Sequence, residues 1–161
     1  MPPYDDHYFM GKALEQARKS FGERGIPVGA VIAVPGQKEI LAAGHNRRNQ
    51  DKDRTRHGEI SCLADRKLLP IPANATLYTT LNPCPMCAGS ILLFKIRRVV
   101  VGQASVTAPP AARFIGEAET LKAKGIEVVI LDDAECERLF AEFLTTSWGL
   151  ESWLGDIGEQ L

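Results

Sequence analysis

Two short stretches, His57-Gly58-Glu59 and Pro83-Cys84-Pro85-Met86-Cys87, bring together an imidazole, two thiols and a carboxylate. Either stretch alone says little: H-x-E is common, and C-x-x-C serves a redox pair or half of a structural zinc site equally well. Together they offer His57, Cys84 and Cys87 as three zinc ligands, a fourth position open to water, and an uncoordinated acid. Hydrolytic zinc requires that combination. Two thiolates cancel the charge of the ion, so bound water is acidified less than by three histidines and gains from a carboxylate that takes its proton. Glu59 is placed for that role; the plainer reading is an acid at a helix start, favoured by the dipole. A closed Cys2His2 site with His45 as fourth ligand is the structural alternative, and it leaves Glu59 without a role.

The elements around these residues must satisfy geometry. Residues two apart on a helix point about 200° apart, so His57 and Glu59 share a pocket only if His57 stands at the helix mouth. Gly58 then lets the chain approach closely. The spacing predicts a helix over 59–67 and another over 84–94, on which Cys84 and Cys87 share a face. Apolar periodicity predicts a first helix over 5–23 and strands over 28–34, 39–43, 76–80, 98–102 and 126–131. Further helices are expected over 117–124 and from Asp132-Asp133 onward. Residues 44–56 and 103–113 read as irregular, and the tail 148–161 holds both tryptophans. Strands separated by helices imply parallel crossovers, and the opening hairpin adds an antiparallel pair. The expected fold is an α/β five-stranded mixed sheet with helices on both faces.

A chain of 161 residues is one domain by the usual prior. Its net charge of -1 opposes a large polyanion-binding surface. The short basic groups at Arg47-Arg48, Arg54, Arg56, Lys95 and Arg97-Arg98 read as solvated loop or edge residues. No apolar run reaches membrane-spanning length, and the start lacks the features of a signal peptide, so a cytoplasmic protein without membrane contact is expected. Cys62 and Cys136 read as buried thiols, and His7 as exposed and uninvolved.

H-x-E with P-C-x-x-C is the signature of zinc enzymes that deaminate bases. Gly44-His45-Asn46, His57-Gly58-Glu59-Ile60-Ser61, the run Leu77 to Cys87 and the ending Trp153-Leu154-Gly155-Asp156-Ile157-Gly158-Glu159 resemble the cytidine/deoxycytidylate deaminase superfamily. Within it they are most similar to the fungal-type cytosine deaminases, which act on the free base. The resemblance implies a three-layer α/β/α sandwich, a homodimer, and one zinc ion per subunit. By that resemblance His57, Cys84 and Cys87 hold the metal and Glu59 shuttles protons. Asn46 and the Gly58 backbone hold the pyrimidine carbonyl and ring nitrogen, Asp156 receives the exocyclic amine, and Trp153 is an aromatic lid on a tail that closes the site. The implied reaction turns cytosine into uracil and ammonia, a step of pyrimidine salvage.

Three departures bear on the substrate. Asn49 stands where the free-base group carries an aromatic, Asn82 where it has serine, and the segment 104–116 is longer, with Phe114 in place of a gating aromatic. A more polar wall admits an aminotriazine such as ammeline, 5-azacytosine or guanine as alternatives. An RNA deaminase is opposed by the charge balance and the closing tail, and a non-enzymatic zinc module by the presence of Glu59.

Overall fold

Every residue of the strand Thr76–Leu81 is buried, and a strand covered on both faces needs helices above and below it. The computed structural model, which describes residues 4–157, supplies them. Helix α1 (Asp6–Gly22) starts at Asp5, whose side chain accepts the Tyr8 N–H. Strands β1 (Gly29–Ala33) and β2 (Ile40–His45) follow, then the single turn α2 (Arg48–Asp51) and α3 (Gly58–Arg66). Next come β3 (Thr76–Leu81), α4 (Pro85–Leu93) and β4 (Arg98–Gln103). A small antiparallel pair, β5 (Ser105–Val106) and β6 (Phe114–Ile115), brackets a 3-10 turn at Pro110–Ala112. The chain ends in α5 (Ala118–Ala123), β7 (Glu127–Ile130), α6 (Ala134–Thr145) and α7 (Gly149–Ile157).

The sheet runs β2-β1-β3-β4-β7, with β1 antiparallel to β2 and β3, and β4 parallel to β3 and β7. Side chains alternate between its two faces. Ala30, Ile32, Leu77, Val99 and Val101 pack under Leu63 of α3, Ile91 of α4 and Leu121 of α5. Val31, Tyr78 and Val100 face the other way, against Phe9, Met10 and Leu14 of α1 and Leu139 of α6. These are the three layers and the mixed sheet that the element order implies. Cys62 and Cys136 are buried thiols, one in each helical layer.

Three segments differ from their sequence reading. β2 continues through Gly44 and His45, which read as loop, because Gly44 pairs with Ala30 and His45 with Gly29. Residues 44–56 and 103–113 contain short elements that no periodicity announces. The closing tail is a helix held by aromatic packing; Gly158 and Glu159 of its motif lie outside the described residues.

Gly44 sets the approach of α3 to the sheet edge. A Cβ there would stand 2.3 Å from Cys62 N and 2.6 Å from Ser61 C, both backbone atoms that cannot swing aside. Gly44→Ala is expected to destabilise the protein by about 3 kcal/mol. The measurement is a chemical denaturation midpoint; one that matches wild type would mean α3 backs away freely.

Candidate metal centre and its cavity

Two helices aim their N-termini at one point. His57 is the N-cap of α3 and Cys84 the N-cap of α4, both in extended conformation. Pro85 occupies the first turn of α4, where its missing N–H goes unneeded and its fixed φ suits the helix. Cys84 therefore precedes the helix rather than riding on it, a correction to the shared-face reading; Cys87 lies inside the first turn. His57 Nδ1 is 3.4 Å from Cys84 Sγ and 3.7 Å from Cys87 Sγ. Zinc–sulfur and zinc–nitrogen bonds at a tetrahedral angle put the two ligand atoms about 3.6 Å apart, so the donor set fits zinc. His45 belongs elsewhere: its ring nitrogens engage Gln16 at 3.3 Å and Glu23 at 2.9 Å, which removes it as a fourth ligand.

The imidazole is oriented from behind. His57 Nε2 donates to Asp156 Oδ1 at 2.9 Å, leaving Nδ1 to face the thiols, and Arg48 Nε stands 3.3 Å from the same oxygen. Burial works to lower the His57 pKa, but its hydrogen bonds with Asp156 and Cys84 raise it to about 10. Cys84 is pulled down to about 4, first by the hydrogen bond with Cys87, against its own burial, and then by His57.

Glu59 is buried on the second position of α3. Its Oε1 accepts from the Thr79 hydroxyl at 2.8 Å, and Oε2 from the Cys87 thiol at 3.3 Å. Burial, and secondarily the Cys84 thiolate, push its carboxyl above the usual carboxylate range. Thr79, on the fully buried strand β3, escaped the sequence reading; a hydroxyl inside an otherwise core strand was the available signal.

A cavity of about 320 Å³ opens over the cluster, at the small end of ligand pockets. Of the residues expected around a substrate, Asn46, Asn82, Phe114, Trp153 and Asp156 line it beside His57, Glu59 and Cys84. Leu81, Met86 and Ile157, which lie within the quoted motifs, and Val28, which does not, add apolar wall. Asn46 Oδ1 takes the Arg48 N–H at 2.9 Å, so its amide nitrogen is the end left to donate. Trp153 is only 2% exposed, with its indole N–H on Ala112 O at 2.9 Å and Phe114 and Phe140 edge-on to its ring. It is a packed wall as much as a cover.

Asn49 is a correction. It lies outside the cavity and donates to Arg24 O at 3.1 Å and Ser152 Oγ at 3.0 Å, pinning α7 to the loop instead of touching the cavity. Its short polar side chain finds backbone and hydroxyl partners where an aromatic would seek apolar wall. Gly58 is buried beneath the cavity lining, where a Cβ would meet Val28 O at 2.9 Å.

A model of the cytidine and deoxycytidylate deaminase zinc-binding region matches residues 3–103. Cytosine deaminase of Candida albicans is 40% identical over 97% of this chain and 99% of its own length. A tRNA-specific adenosine deaminase of Bacillus subtilis is 37% identical over 60% of this chain and 61% of its own. Among solved structures, a guanine deaminase from Nitrosomonas europaea superposes with TM-score 0.66 at 27% identity, covering 84% of this chain and 82% of that one.

Asp156→Ala removes the carboxylate that orients His57. Zinc affinity is expected to fall roughly tenfold to a hundredfold in chelator competition; unchanged affinity would show that α3 alone sets the ring.

Proposed function

This chain belongs to the cytidine and deoxycytidylate deaminase family, and from that premise we propose that it deaminates free cytosine hydrolytically to uracil and ammonia. The observation that carries this reading is a small cavity walled in part by Trp153, Asp156 and Ile157 of α7, with the three-ligand cluster and the buried Glu59 in its floor. Likeness along nearly the whole chain to a cytosine deaminase supports it, whereas the tRNA-deaminase likeness extends over a shorter length. The guanine deaminase resemblance keeps a purine as a side option.

Bound zinc supplies a water of lowered pKa as the nucleophile. The chain's own groups do the rest. With zinc held by His57, Cys84 and Cys87, Glu59 would carry one water proton to the ring nitrogen beside the amino-bearing carbon and the second, from the oxygen added at that carbon, to the departing amine, so that ammonia leaves as the C–N bond breaks. Thr79 holds its Oε1, and Cys87, which donates to Oε2, would free that oxygen for the relay on becoming a zinc ligand. Asn46 donates its NH2 to the ring carbonyl, with the Gly58 backbone supporting the ring. Asp156 gives Oδ1 to His57 and Arg48 and keeps Oδ2 for the exocyclic amine. Trp153 and Phe114 exclude water from the ring faces.

A homodimer with one zinc per subunit, a cytoplasmic location and a role in pyrimidine salvage belong to the same proposal. Leu93 is 77% exposed beside the half-exposed Phe94 on the outer end of α4, an apolar surface that a second copy would cover. No helix among the described residues is long and apolar enough to cross a membrane.

Glu59→Gln is expected to keep its zinc and lose turnover about a thousandfold. Metal analysis beside an ammonia-release assay checks both halves, and a metal-free variant would sink the division between ligands and shuttle. Cytosine should release ammonia faster than cytidine, guanine or short RNA; activity on none of the free bases would falsify the assignment.

A further inference from the structure

Asn46 reaches the cavity from the short connector between β2 and α2, beyond the last paired residue of the sheet edge. Its N–H donates to Val28 O at 2.8 Å, and its Oδ1 accepts the Arg48 N–H at 2.9 Å. A buried carbonyl is ordinarily met by a backbone N–H of a helix or sheet. Here two side chains meet it instead. The Ser20 hydroxyl of α1 donates to Asn46 O at 2.7 Å, and Gln50 Nε2 of α2 donates at 3.0 Å. Among the described residues Nδ2 is the one polar atom of Asn46 without a partner, on a residue that is 2% exposed and lines the cavity.

Both donors are held in place. Gln50 Nε2 also lies 3.2 Å from Glu23 Oε2 and 3.3 Å from Ser20 Oγ. A carbonyl and a carboxylate oxygen each demand a donor, which fixes the orientation of the Gln50 amide. Ser20 is the polar residue among the buried positions of α1, where a hydroxyl is costly unless it is hydrogen-bonded. Gly25 leaves the space: a Cβ there would stand 2.3 Å from Gln50 Nε2 and 2.4 Å from Ser20 Oγ. Both are side-chain ends that can swing aside, so a methyl group at this place would displace the donors rather than the backbone.

We propose that Gln50, with Ser20 beside it, is a positioning residue for the substrate: the two donors pin the Asn46 backbone so that Nδ2 points at the carbonyl of the ring. This rests on the free-base reading, in which Asn46 meets that carbonyl. Gln50 does not line the cavity and acts through Asn46. The ring carbonyl is present before and after the reaction, in cytosine and uracil alike. Misdirecting its donor therefore weakens binding of both and leaves the chemical step largely as it was.

The test is a double-mutant cycle on the zinc-loaded full chain, read by ammonia release from cytosine. Gln50→Leu keeps the bulk and loses the donor, and is expected to lower kcat/KM about tenfold, through KM with kcat little changed. Gly25→Ala crowds the amide with Gln50 intact; it should do the same, and it carries the cycle if Gln50→Leu does not fold. In an Asn46→Ala background neither substitution should cost more than about twofold further, because the group they hold is gone. Where Asn46→Ala leaves too little turnover to follow, the dissociation constant of uracil gives the same cycle. Losses of equal size in both backgrounds would make Gln50 a staple between α1 and α2 and overturn the proposal. So would a Gln50→Leu protein with wild-type KM. Asn46→Ala with wild-type kcat/KM overturns the carbonyl reading of Asn46 beneath it, and a wild type inactive on cytosine overturns the free-base reading itself.

Discussion

The hydrogen bond from His57 Nε2 to Asp156 Oδ1 joins residues nearly a hundred positions apart, and the site depends on it. On one side it settles which ring nitrogen faces the thiols. On the other it ties down α7, which lines the cavity with Trp153, Asp156 and Ile157, so the helix that orients the ligand is also part of the pocket wall. Arg48 compensates the same buried carboxylate from α2, and Asn49 grips Ser152 one turn earlier on α7. Leaving that carboxylate buried without these partners would be costly. Trp153 holds α7 as well, through its indole N–H on Ala112 O and through edge-on contacts with Phe114 and Phe140, each aromatic contact worth about 0.5–1.5 kcal/mol beyond its buried area.

The floor of the site rests on a second constraint, the convergence of two helix N-termini. Unpaired N–H groups and the positive ends of α3 and α4 favour anionic sulfur at Cys84. Burial works against further negative charge: the Cys87 thiol is pushed well above its usual range, first by Cys84 and then by desolvation, and Glu59 is pushed up as well. A divalent cation at the center reverses that imbalance, deprotonating the second thiol and leaving the carboxyl to carry protons. The same burial that raises the Glu59 carboxyl is what makes it a usable acid and base.

Periodicity sufficed for the long elements. The stripe of α1, the triple valine of β4 and the β-branched run of β1 each have one way to hide their apolar atoms, and the sheet follows from their order. Where local pattern competes with partners far along the chain, it fails. Gly44 and His45 look like turn residues, and become strand only because Gly29 and Ala30 are there to pair with them. The segment 104–116 has no period, and its hairpin forms against Trp153 and Asn82, whose contacts no local window contains. Asn49 stands where the free-base group carries an aromatic and so is expected beside the substrate, yet a turn of α2 sends it to α7.

The residues alone determined the metal chemistry. One imidazole and two thiols, with an acid two positions from the histidine, leave few other uses for that set, because ligand identity is a property of side-chain type and short spacing. Tertiary structure decided what those groups do together. It placed Thr79 behind Glu59, Asp156 behind His57 and the amide of Asn82 on Ala104. These relations span 20, 99 and, for Asn82 with Ala104, 22 positions of chain. Their geometry arises only when the sheet and its two helical layers have closed, since no local pattern encodes which buried polar groups will meet.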